Sequence, residues 1–195
     1  TQAQHISNNG TYISITTGTF IGMDSITNYN SATLVNNGTL TIITVNNTAT
    51  IENNETLATV AINNSGTFQN TEMVTATDVN NTLTFGNTGT LTASNSVINS
   101  GTFETAETFS APTVNNSGTF ANSGSFTATD VENMVTFGNT GTLTATTIDN
   151  SGTFENLNIF YAPTVDNSGT FENAGSFTAT DVNNTLTFGN TGTLT

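Results

Sequence analysis

Val114-Asn-Asn-Ser-Gly-Thr-Phe120 returns as Ile148-Asp-Asn-Ser-Gly-Thr-Phe154 and Val165-Asp-Asn-Ser-Gly-Thr-Phe171, and Val131-Glu-Asn-Met-Val-Thr-Phe137 and Val182-Asn-Asn-Thr-Leu-Thr-Phe188 keep the same frame. A fixed period of this length is the signature of a solenoid, in which each unit buries its apolar row only by stacking on its neighbours. Taking the β-branched residue as position 0, units begin at Ile6, Ile26, Val45, Ile62, Val79, Val97, Val114, Val131, Ile148, Val165 and Val182. Val35-Asn36-Asn37-Gly38-Thr39 competes for a start between the second and third. Phe68, Phe120 and Phe171 mark a longer unit of three coils.

The columns of this frame predict the cross-section. Position 6 holds Phe68, Phe85, Phe103, Phe120, Phe137, Phe154, Phe171 and Phe188; position 12 holds Val74, Leu91, Phe109, Phe126, Leu143, Phe160, Phe177 and Leu194. Ala fills position 14 from Ala76 to Ala179, and position 4 is Gly or an aliphatic such as Leu83, Val135 and Leu186. All are even positions, which an extended chain turns to one face. Burying each Phe stabilises by roughly 2–3 kcal/mol.

Position 2 is Asn in every unit, including Asn64, Asn116, Asn133, Asn150 and Asn167, and position 8 is Asn in most. The same parity points both columns inward, where stacked amides satisfy one another along the axis. Asn at these corners is expected to take left-handed backbone, as are the glycines of position 10 such as Gly124 and Gly141. Odd positions, led by the Thr column at position 5, are expected on the solvated face.

The expected fold is therefore all-β: a single-stranded parallel β-solenoid of about eleven coils and ~17 residues each, forming a rod about 50 Å long. One domain spans 1–195, with irregular coils over 1–44 and regular coils in three-coil units over 45–195.

Composition narrows function. The chain has no Lys or Arg against fourteen Asp and Glu, for a formal charge of −14. Without cations it neither neutralises a phosphate backbone nor binds an anionic membrane surface. No nucleic-acid partner and no membrane insertion are expected, since no apolar run approaches the length of a membrane helix. Thr, Asn, Ser and Gly dominate as in disordered tracts, but the strict Phe columns argue for a packed core.

The Asn-Ser-Gly-Thr-Phe and Asn-Thr-Gly-Thr-Leu units resemble the repetitive regions of bacterial filamentous-haemagglutinin-type adhesins and autotransporter passengers. That resemblance implies a right-handed parallel β-helix at the cell surface, with a role in adhesion or fibre extension. This chain differs in its shorter coils and its lack of Lys and Arg.

Candidate chemistry is sparse. His5 is the single histidine and lies outside the repeat, and with no Cys or Lys nucleophilic catalysis has no partners to recruit. Coils without long loops build no cleft, so no enzyme is expected. Asp149 and Asp166 share position 1 of adjacent coils, and Glu155 and Glu172 share position 7, each pair about 5 Å apart across one step. Calcium, an oxygen-seeking cation, is the one such pairs would suit; no other cofactor is expected. Thr90, Thr92, Thr108, Thr127, Thr142, Thr144 and Thr178 form two hydroxyl rows at positions 11 and 13, resembling the arrays of ice-binding solenoids, broken by Met73, Ile159 and Tyr161. The sequence thus predicts an exported structural protein, the stalk of a surface adhesin or the subunit of a head-to-tail filament. Its expected partners are its own continuation or another copy end to end, and a surface glycan or protein receptor. Ice or glycan binding through the Thr rows is the alternative.

Overall fold

A computed structural model describes residues 4–195. Every regular element among them is a β-strand, and every strand pairing is parallel, joining each coil to the next. The chain is a β-solenoid of about eleven turns. Ile6, Ile26, Val45, Ile62, Val79, Val97, Val114, Val131, Ile148, Val165 and Val182 form one continuous register column. Coils are numbered 1 to 11 by these residues. The competing start at Val35 is not a coil origin: Asn36 pairs with Asn53, and Asn53 with Asn70, which places it in the position 8 column. Coil 1 meets coil 2 through two register shifts, between Thr16 and Thr19 and between Phe20 and Met23. Phe20 pairs there with Leu40 in the position 12 register, yet it is 47% exposed.

The cross-section has three sides. Positions 0 and 2, 6 and 8, and 12 and 14 point inward, so each side contributes two core residues. The Phe columns are buried throughout coils 4 to 10, and successive position 6 rings stack at 4.6–5.2 Å between centroids. Phe109 and Phe126 of position 12 meet these rings edge-on at 5.4–5.6 Å, the arrangement that aromatic quadrupoles favour.

The amides form two axial ladders. At position 2, each Nδ2 donates to the Oδ1 of the next coil without interruption from Asn8 to Asn184. Asn116 is typical: it donates to Asn133 Oδ1 at 2.8 Å, to the Thr136 carbonyl at 2.7 Å and to the Gly118 carbonyl at 3.1 Å. No buried side-chain polar atom among the described residues lacks a hydrogen-bond partner, so the nineteen buried polar side chains are accommodated in the core without an orphaned group.

The corners depart from the sequence expectation in three ways. Position 4 is not inward: Leu83, Val135 and Leu186 are 53%, 47% and 67% exposed. The parity argument holds only along extended backbone, and the chain bends at positions 3 and 4. Nor are the ladder asparagines left-handed; among the described non-glycine residues only Asn30 and Ser31 have positive φ. The glycines of position 10 are likewise not at positive φ. They answer to space instead: a Cβ on Gly124 would stand 2.0 Å from the Glu107 carbonyl oxygen in the coil below.

Candidate functional site

The side chains that carry chemistry all lie on the outer surface of the rod. Asp149 pairs in register with Asp166, and Glu155 with Glu172, and all four are exposed. The position 1 column extends one coil further than the sequence reading noticed, since Glu132 pairs with Asp149. Glu132 carries a different acid at the same coil position, and aligning position 1 by column rather than by residue type would have found it. These three acids form a line and not a cage: among the described residues no three His, Cys, Asp or Glu converge as a metal site. Glu155 and Glu172 border a shallow furrow of about 240 Å³ with Leu157, Ala174 and Gly189. A second furrow of about 280 Å³ runs over coils 4 to 8 along one column, in which Glu104 stands between Gly86 and Ala121, with Gln69 and Gly138 at the ends. Both follow the position 7 column.

His5 lies within the first strand, His5–Asn9, rather than outside the repeat, and its Nδ1 is 2.7 Å from Ser25 Oγ of the next coil.

The threonine rows are real columns. Thr90, Thr108, Ser125, Thr142, Ile159 and Ser176 follow one another at position 11; Thr92, Ser110, Thr127, Thr144, Tyr161 and Thr178 do so at position 13. Thr90, Thr92, Thr108, Thr127, Thr142 and Thr144 are exposed and Thr178 is half-buried. Met73 occupies position 11 of coil 4 and is 45% exposed; Ile159 and Tyr161 occupy positions 11 and 13 of coil 9 and are 49% and 46% exposed.

The charges are segregated by side. Seven glutamates stand at positions 7 or 10: Glu52, Glu55, Glu72, Glu104, Glu107, Glu155 and Glu172. Glu132, Asp149 and Asp166 stand at position 1, and Asp78, Asp130 and Asp181 at position 16. From coil 2 to coil 11 the flank at positions 11 to 15 carries no charged residue.

No family model, curated protein or solved structure matches the chain. The likeness to haemagglutinin-type adhesins therefore rests on the repeat units alone.

Proposed function

We propose that this chain is a structural extracellular rod, serving without catalysis as the stalk of a surface adhesin or as the subunit of a β-solenoid filament. The observation that carries this reading is the uniformity of the perimeter. From coil 3 onward each turn closes in 17 or 18 residues, as the ladder spacings record, and no loop rises to wall a cleft. What repeats is a length of about 4.8 Å per coil, which is the useful property of a spacer. Continuous main-chain pairing and a stacked Phe core keep such a rod stiff, and the absence of Lys and Arg leaves no trypsin site.

Immunogold labelling of intact source cells with antibody to this chain, together with electron microscopy of the purified chain with and without calcium, tests the reading. Surface label and straight rods or fibres support it. Label confined to the cell interior overturns it. A second reading, binding to ice or a glycan, is favoured by the two hydroxyl columns on an uncharged flank; the side chains of Met73, Ile159 and Tyr161 count against a lattice match.

A further inference from the structure

We infer that the uncharged flank, positions 11 to 15, is where two copies of this chain pair side by side, antiparallel, with coil 4 of one opposite coil 9 of the other. The inference rests on the coil register and deepens the structural reading by naming its lateral partner.

The first argument is electrostatic. Each rod carries −14 with no cation to offset it, so any contact that sets carboxylate columns against each other is opposed. The flank at positions 11 to 15 lets two copies meet along a strand without burying like charges, whereas the other charge-free strip, positions 2 to 6, is a corner bent at positions 3 and 4. Its boundaries are acidic: Glu55, Glu72 and Glu107 at position 10 on one edge, Asp78, Asp130 and Asp181 at position 16 on the other.

Those boundaries exclude the neighbouring registers. A two-fold axis perpendicular to the rods sets each edge against the same edge of the other copy. With coil 4 facing coil 9, Glu72 opposes Asn158, Glu55 opposes Gly175 and Glu107 opposes Gly124; Asp78 opposes Thr164, Asp130 opposes Thr113 and Asp181 opposes Ala61. No carboxylate stands directly against another. A slide of one coil in one direction sets Glu107 against its own copy. The opposite slide does the same to Asp130 and adds Asp78 against Asp181. Parallel rods in step put Glu72 against Asp78.

The same register matches the apolar residues. Met73 of each copy meets Ile159 of the other at position 11, with Tyr161 alongside Thr75 at position 13. The side chains that spoil a threonine lattice thus become two symmetric contacts. Both copies share one axial repeat, so their rows interdigitate along the whole overlap. Ten coils of about 4.8 Å by about 13 Å of flank give roughly 600 Å² per copy and about 1,200 Å² in total, the lower limit for a specific interface. A reversible dimer is the result.

Sedimentation equilibrium of the full chain across micromolar to millimolar concentration tests this. The expected result is a dimer of twice 20.3 kDa that tightens as salt screens the rods. Thr127→Glu, on the flank, weakens it tenfold or more. Thr119→Glu, in the same coil but at position 5, leaves it within twofold. Because the chain has no Cys, oxidation of Met73→Cys/Ile159→Cys should give a covalent dimer, while Met73→Cys alone should not, its two copies lying five coils apart. A monomer at every concentration, or equal cross-linking of the single variant, overturns the inference and leaves the rod intact. So does a monomer retained on ice or on an insoluble polysaccharide, which would assign the flank to that surface.

Discussion

Asn87 donates its amide to the hydroxyl of Thr105 at 3.1 Å, and no hydrogen bond leads on from Thr105 to Asn122. The position 8 ladder is therefore two runs, one ending at Thr105 and one starting at Asn122, whereas the position 2 ladder is continuous. Thr105 is buried and in register with Asn122, so the break follows from a side chain too short to reach. Thr105→Asn should rejoin the runs and stabilise the chain by about 1 kcal/mol, read as a rise of about 2–4 °C in Tm. A loss of stability would mean that the ladder is interrupted there for a steric reason.

The two sides of a strand should respond very differently to truncation. Phe120 stacks on Phe103 at 4.8 Å and on Phe137 at 4.9 Å and meets Phe109 and Phe126 edge-on. Phe120→Ala should cost about 3–5 kcal/mol in denaturant unfolding. The exposed neighbour Thr119 should cost less than about 0.5 kcal/mol when changed to Ala. Equal losses would invalidate the inward assignment.

Glycines in different columns should give opposite signs. A Cβ at Gly118 would stand 2.1 Å from the Gly101 carbonyl oxygen, whereas one at Gly138 meets nothing within 4 Å. Gly118→Ala should lower Tm by several degrees through backbone displacement. Gly138→Ala should be neutral or raise stability by up to about 1 kcal/mol, because Ala loses less conformational freedom on folding. Thermal melts of the two variants decide it.

A carboxylate in the amide ladder should make stability depend on pH. Asn116 is fully buried and donates to three oxygens. In Asn116→Asp the ionised side chain would face those acceptors with no donor, costing at least about 3 kcal/mol at neutral pH. Burial raises the folded-state pKa of that Asp above the unfolded value of about 3.9. The deficit should hold above the folded pKa and shrink as pH falls from there toward the unfolded value. A deficit that stays constant between pH 7 and pH 4 would show that the carboxylate is solvated.

The core was legible in the sequence because its columns are chemically distinct. Phe, Asn and Ala recur where the backbone is extended, and there alternation assigns the face correctly. The corners were not legible, for a countable reason. Seventeen is odd, so strict alternation must fail somewhere in each coil. It fails at all three corners, most plainly where Thr129 and Asp130 are both exposed in succession. Leu83 and Val135 were misplaced because the chain bends at positions 3 and 4, where alternation does not apply. The carboxylate line at Glu132 and the uncharged flank were missed for another: both appear only when outward residues are read down the rod, across coils that differ in type.

The position 2 ladder also has a direction. Every amide from Asn8 to Asn167 offers its N–H toward the coil that follows it in sequence. A chain emerging N-terminus first thus presents each new coil with the donor of the last ladder amide, beside strand edges already in place. Assembly becomes the extension of an existing template, one short loop closure at a time, and the entropy cost stays that of about 17 residues whatever the final length. The rod is built to be copied forward from its own last turn.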